Sequence, residues 1–261
     1  MDKETLSADG TRIAYETTGR GPSVILVSGA MSTGHTMAPL AQRLADHFQA
    51  VVYDRRGRGE SGDTAPYAVE REVEDLAALI DAVGGESALY GISSGGALAL
   101  EAAASGLPVR QVAVYETPYA LGEDDAKGRA EYTRNLDQAL GQGRPGDAVA
   151  LFLRLTGLAE GMIERARHSP MWADMEAIAP TLAYDDAVMG GGPLPRDRLA
   201  AITVPALAVA GGASPDWLRE ATRAVAEAVP RGTYRELADQ THMVDPDALA
   251  PVLMNFFTAQ T

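Results

Sequence analysis

The chain has 261 residues, and 36 acidic against 22 basic side chains leave a formal charge of −14. With 46% hydrophobic residues it can fold around a full core, which argues against a disordered or fibrous chain. The lack of cysteine excludes disulfides, thiol catalysis and thiolate-held metals, and the acid balance opposes binding to nucleic-acid phosphates or anionic membrane surfaces.

The opening residues, MDKETLSADGTR, contain no apolar run, and no stretch approaches 18 apolar residues. Neither a signal peptide nor a transmembrane helix is expected, and the cytoplasm is the default location. Residues 11–17 alternate as a strand after a turn at Asp9-Gly10. SVILV at 23–27 and AVVY at 50–53 are short buried strands, separated by a helical pattern over 37–48. Residues 69–83 place Val73, Leu76, Leu79, Ile80 and Val83 on one helical face, stopped by Gly84-Gly85. A strand at 87–90 runs into Gly91, an Ala-rich helix follows over 95–104, and 109–115 form another strand. Alternation of this kind predicts an α/β fold with a mostly parallel central sheet flanked by helices.

After Pro118 the rhythm breaks. Residues 119–200 show helical patterns and no clear strand, interrupted by Gly141-Gln142-Gly143 and Gly190-Gly191-Gly192-Pro193. Strand and helix alternate again from 205, with Asp245-Pro246 set to start the last helix as cap and first-turn proline. The expected organisation is one core made of 1–117 and 201–261, with 118–200 inserted as a helical cap.

Gly91-Ile92-Ser93-Ser94-Gly95 is the chain's G-x-S-x-G sequence, and it lies between a predicted strand and a predicted helix. That context suits a nucleophile elbow: a strained turn exposes the Ser93 hydroxyl, glycines leave room beside it, and the helix N-terminus favours negative charge. With this elbow, with Asp54-Arg55-Arg56-Gly57-Arg58-Gly59-Glu60-Ser61, and with Thr241-His242 near the end, the chain resembles an α/β-hydrolase from about residue 5 onward. The order, Ser early and His late, also agrees.

The resemblance implies Ser93 as nucleophile and His242, of the four histidines, as general base. It implies an oxyanion hole made by the backbone N–H groups of Ser94 and Ala30, although Ser28-Gly29 stands where the family usually has His-Gly. Met31 and His35 would then line the pocket, together with Met243 and, from the cap, Trp172. The third triad member departs from the common pattern. Where most relatives carry Asp after the seventh strand, this chain reads Gly211-Gly212-Ala213-Ser214. Glu116, at the end of the sixth strand, is the favoured acid, as in lactone hydrolases of the zearalenone-degrading type; Asp216 is the alternative, readily explained as a helix-start residue.

Two other motifs carry weaker readings. Gly57-Arg58-Gly59-Glu60-Ser61-Gly62 fits G-x-G-x-x-G, but residues intervene before the next helix, so a turn-rich loop is expected rather than a dinucleotide site. Asp239, His242 and Asp245 lack a second nearby histidine for a metal. The expected activity is cofactor-free and metal-free hydrolysis of a carboxylic ester or lactone of a hydrophobic small molecule. Amide, thioester and carbon–carbon hydrolysis, perhydrolysis, cyclisation, and a binding protein that keeps the pocket stay open.

Overall fold

The computed structural model of the chain describes residues 1–259. In chain order its elements are β1 (Lys3–Leu6), β2 (Arg12–Thr18), β3 (Ser23–Val27), α1 (Ala38–Leu44), β4 (Gln49–Tyr53), α2 (Val69–Ala82), β5 (Ser87–Ile92), α3 (Ser94–Ala104) and β6 (Val109–Tyr115). Helices α4 (Glu123–Gly141), α5 (Pro145–Leu155), α6 (Glu160–Arg167), α7 (Trp172–Ile178), α8 (Leu182–Val188) and α9 (Arg196–Ala200) follow. The chain ends with β7 (Ala206–Gly211), α10 (Asp216–Ala228), β8 (Gly232–Leu237) and α11 (Pro246–Thr258).

The strands form one eight-stranded sheet in the order β1-β2-β4-β3-β5-β6-β7-β8. β1 and β2 run antiparallel to their neighbours, and the remaining pairs are parallel. Helices cover both faces, which is why the central strands are apolar on both sides. In β3, Ile25 and Val27 join one core with Leu76 and Leu79 of α2, whereas Val24 and Leu26 join the other with Leu44 of α1 and Leu253 of α11. Burying each such side chain contributes about 1.5–3 kcal/mol. This arrangement is the α/β-hydrolase fold: a mostly parallel sheet between helices, with an inserted helical segment.

The short strand β1 was not foreseen. KETL is an exposed edge, without the apolar alternation that marks a half-buried strand. The helical pattern over 37–48 is realised as a 3-10 turn, Gly34–Met37, followed by the shorter α1.

Helices α4 to α8 build a third apolar cluster around Tyr132, Leu136, Val149, Ile163 and Trp172. The two ends of the inserted segment meet: Ala120 N–H donates to the Gly192 carbonyl at 2.7 Å, and Leu194 N–H donates back to Ala120. From β3 the chain crosses outward to β4, then returns to β5 on the other side of β3. The crevice at the carboxyl ends of β3 and β5 is therefore where an open α/β sheet places a ligand.

Candidate active site

Ser93 follows β5 with φ 55° and ψ −127°, a backbone conformation that few non-glycine residues adopt. Such strain costs on the order of 1–3 kcal/mol and persists only where the surroundings enforce it. Here the surroundings are backbone. A Cβ on Gly91 would lie 2.2 Å from the Gly95 carbonyl oxygen, and one on Gly95 would lie 2.4 Å from the Val27 carbonyl oxygen. Both elbow glycines thus permit α3 to close against β5 and β3. The Ser93 N–H donates to the Tyr115 carbonyl at 2.9 Å, which ties the turn to β6.

Across the elbow stands the loop after β3. A Cβ on Gly29 would be 3.1 Å from Ser93 Cβ, so the loop backbone lies directly beside the serine. Among the described residues, neither the Ala30 nor the Ser94 N–H donates to a backbone or side-chain acceptor. Two free amides therefore flank Ser93, one on the loop after β3 and one at the first turn of α3. Met31, with φ 55°, packs with Ala30 against the cap cluster.

The imidazole of His242 meets Glu116. Nδ1 lies 2.8 Å from Glu116 Oε2, and the other carboxylate oxygen accepts from the Gly211 N–H at 2.7 Å. Glu116 is wholly buried, with φ 45° at the end of β6. Tyr115, its neighbour, donates its hydroxyl to the Thr241 carbonyl at 2.7 Å and so holds the histidine loop. Gly211 permits this approach, since a Cβ there would be 2.3 Å from the Gln240 carbonyl oxygen. Asp216 does not join the group: it lies exposed at the start of α10 and pairs with Arg219.

The remaining pocket candidates are spread out. His35 lies on the exposed side of its 3-10 turn, and Met243 is 87% exposed beside His242. Trp172 is buried in the cap cluster, with the Arg167 guanidinium 5.1 Å from its ring centroid. His47 and His168 are exposed, and His242 alone of the histidines contacts a carboxylate among the described residues. No group of three or more His, Cys, Asp or Glu able to hold a metal occurs among those residues.

The loop between β4 and α2, one of the stretches that carry the family resemblance, holds residues to which sequence reasoning gave no role at the site. Gly57 and Gly59 have positive φ, and α2 starts only at Val69, so this glycine run is a turn and does not open a helix. Asp54 fastens it, accepting from the Gly34 and Glu60 amides. Arg55 forks onto Glu72 and also reaches Asp185 of α8 at 2.7 Å and the Ser28 carbonyl at 3.3 Å. Arg58 bonds the Gly29 carbonyl and the second oxygen of Asp185, both at 2.7 Å. Ser94 Oγ donates to Asp185 Oδ1 at 2.8 Å. The one sequence signal was the unusual Arg55 and Arg58 in a short glycine loop. Nothing local marked Asp185, which is one acid among many in the cap.

Taken together, the site contains a strained serine, a carboxylate-held histidine and two free amides, which is the equipment for acyl transfer. The chain is 50% identical to an alpha/beta hydrolase from Sphaerobacter thermophilus DSM 20745, with a TM-score of 0.87 over 98% of this chain and 100% of that one. It is 40% identical over 112 residues to the pimeloyl-[acyl-carrier protein] methyl ester esterase of Stenotrophomonas maltophilia, covering 42% of each chain. It is 36% identical over 135 residues to the N-formylmaleamate deformylase of Pseudomonas putida, covering 50% of this chain and 49% of that protein. The alignments thus span half or less of the length of these curated relatives. The family profile, in contrast, runs from the third strand to the last helix, over residues 24–252, and by that match the chain belongs to the alpha/beta hydrolase family.

Proposed function

We propose that the protein is a cofactor-free serine hydrolase that cleaves a carboxylic ester or lactone of a hydrophobic small molecule through an acyl-enzyme. The observation that carries this reading is the Glu116–His242 pair at 2.8 Å together with Ser93 at φ 55°, flanked by the free amides of Ala30 and Ser94. Of the named activities of the curated relatives, the methyl ester esterase favours an ester, and the N-formylmaleamate deformylase favours acyl hydrolysis more broadly.

In this mechanism His242 takes the Ser93 hydroxyl proton as the oxygen attacks the substrate carbonyl carbon. The carbonyl oxygen becomes an oxyanion that accepts from the Ala30 and Ser94 N–H groups. As the tetrahedral intermediate collapses, the C–O bond to the leaving alkoxide breaks and His242 returns the proton to it. Water, deprotonated by His242, then attacks the ester on Ser93; the carboxylic acid leaves and Ser93 regains its proton. Glu116 keeps the ring oriented and stabilises the imidazolium without itself taking the proton. The packing of Ala30 and Met31 against the apolar cap cluster favours a hydrophobic acyl group.

The test is covalent labelling combined with turnover of an aryl ester. A fluorophosphonate should modify Ser93; Ser93→Ala should lose both labelling and turnover, while Ser94→Ala remains modifiable at Ser93. Labelling that survives in Ser93→Ala overturns the assignment, and a wild-type protein that binds but never cleaves esters, lactones or amides makes it a binding protein instead.

A further inference from the structure

Asp185 is contributed by cap helix α8, yet its carboxylate lies at the active-site floor, 5% exposed. Every partner it has there belongs to the core. Oδ1 accepts from Arg55 Nη1 at 2.7 Å and from the Ser94 hydroxyl at 2.8 Å, and Oδ2 accepts from Arg58 Nη2 at 2.7 Å. Burial alone would push its carboxyl pKa up, but Arg58 and Arg55 outweigh burial and hold it below the usual range, so the group is an anion.

The partners lead to both free amides. Ser94 carries one of them, and its side chain is fixed by Asp185. The other is reached through the arginines. Arg55 contacts the Ser28 carbonyl at 3.3 Å, and Arg58 bonds the Gly29 carbonyl at 2.7 Å and contacts that of Ser32 at 3.3 Å. A trans peptide is planar, with C=O and the following N–H pointing in opposite directions. Drawing the Gly29 oxygen toward Arg58 therefore turns the Ala30 N–H away from Arg58, and drawing the Ser28 oxygen toward Arg55 does the same for Gly29. Charge-assisted bonds in a site closed to water are strong enough to set such an orientation.

We propose that Asp185 is a positioning residue for the oxyanion hole, orienting Ala30 N–H through Arg58 and the Ser94 amide through the Ser94 hydroxyl, so that the cap completes the catalytic site. The proposal rests on the serine-hydrolase reading above. It makes the cap more than a pocket wall: displacing α8 takes the carboxylate away from both donor segments at once. Arg55 would still have Glu72, but Arg58 would be left buried with carbonyl partners only, and it would be expected to swing and release Gly29.

The experiment uses the full chain with an aryl ester, a boronic acid that forms a tetrahedral adduct on the serine, and the fluorophosphonate. In Asp185→Asn, kcat is expected to fall about 100-fold, the scale associated with a misplaced catalytic group, with KM within about threefold of wild type. Boronate affinity and the labelling rate should fall in step with kcat, whereas the apparent pKa of the kcat/KM profile stays put, because His242 and Glu116 are not among the partners of Asp185. A merely structural role would lower Tm without moving kcat or boronate affinity of the folded protein. Should Asp185→Asn fail to fold, Ser94→Ala decides, since it removes one hydroxyl: it should keep its fold and lose about tenfold in labelling rate and boronate affinity. A folded Asp185→Asn with wild-type kcat, or, where that variant does not fold, a Ser94→Ala with wild-type labelling and boronate affinity, overturns the proposal while leaving the hydrolase reading intact. Failure of the wild-type protein to label at Ser93 overturns both.

Discussion

Glu116 Oε2 lies 2.8 Å from His242 Nδ1, joining residues 126 positions apart, and the opposite oxygen of the same carboxylate receives the Gly211 N–H at 2.7 Å. Both oxygens thus face donors in a fully buried place. A glutamate at the end of β6 reaches the histidine loop because Gly211, at the end of the intervening β7, leaves no side chain in the way.

Glu116→Gln retains the shape but offers one acceptor where the site has two donors. Its amide NH2 must face either Gly211 N–H or His242 Nδ1–H, so the ring loses its tautomer or its orientation. We expect kcat to fall by about three to four decades with KM little changed, as measured with an aryl ester on protein of unchanged circular dichroism. Asp216→Asn, at an exposed helix start paired with Arg219, should cost less than about tenfold. The reverse ranking would transfer the acid's role to Asp216.

Gly29 and Gly91 separate catalytic geometry from folding. A Cβ on Gly29 would lie 3.1 Å from both the Ile92 carbonyl oxygen and Ser93 Cβ, so the serine must yield by a few tenths of an ångström. Gly29→Ala should therefore lower kcat by about 10- to 100-fold while Tm changes little. In Gly91→Ala the new atom meets the Gly95 carbonyl at 2.2 Å, backbone against backbone, and the elbow cannot close. Overpacking of this kind costs about 1–3 kcal/mol or more, read as a Tm several degrees lower or a failure to accumulate folded protein. Equal effects on Tm in the two variants would count against this distinction.

Much of this architecture was legible in the residues themselves. SVILV and the strand leading into Gly91 are short apolar runs, and the elbow glycines have a steric reason that local sequence announces. The Asp245 cap is equally local, its side chain accepting from the Asp247 amide at 2.9 Å. Glu116 could be named only by weighing a strand end against a family pattern, because its contact with His242 reaches across β7 to a loop 126 positions away. Asp185 was out of reach for the same reason carried further: its partners are Arg55, Arg58 and Ser94, between 91 and 130 positions distant. Composition cannot reveal a buried ion cluster whose charges cancel. Local sequence did not separate the pocket residues either: Met243 and His35 are exposed, whereas Trp172 is buried in the apolar cluster of the inserted helices.

Chelation is expected to leave activity intact. The proposed chemistry uses only hydroxyl, imidazole, carboxylate and backbone amide groups of the chain itself. Prolonged treatment with EDTA should leave kcat for the aryl ester within about twofold of the untreated protein. Loss of activity that zinc restores would overturn this mechanism.

Asp185 and Asp186 are adjacent on α8, and their substitutions should have opposite consequences. Asp186 faces α4, where Oδ2 accepts from the Thr133 hydroxyl at 2.7 Å while Oδ1 is buried without a partner. Burial raises its pKa, with the charges of Asp137 and Asp185 adding to the effect; the Thr133 hydrogen bond and Arg129 oppose it but do not prevail. A carboxyl whose folded-state pKa exceeds its unfolded value contributes its stability when protonated and loses it as pH rises through the folded-state pKa. At neutral pH, ionised Asp186 is therefore a net cost to the fold. Asn has no charge to desolvate and keeps an oxygen for Thr133. Asp186→Asn should raise Tm at pH 7 by about 2–4 °C, the scale of 1 kcal/mol in a chain of this size. The advantage over wild type should shrink as pH falls toward about 3.9, the ordinary value for Asp, where the native residue becomes neutral as well. Since Asp186 touches neither donor segment, kcat should stay within about twofold of wild type. Differential scanning fluorimetry across pH checks the sign: an advantage that grows on acidification, or a variant less stable than wild type at pH 7, would show that Asp186 is held by its partners more firmly than burial opposes it.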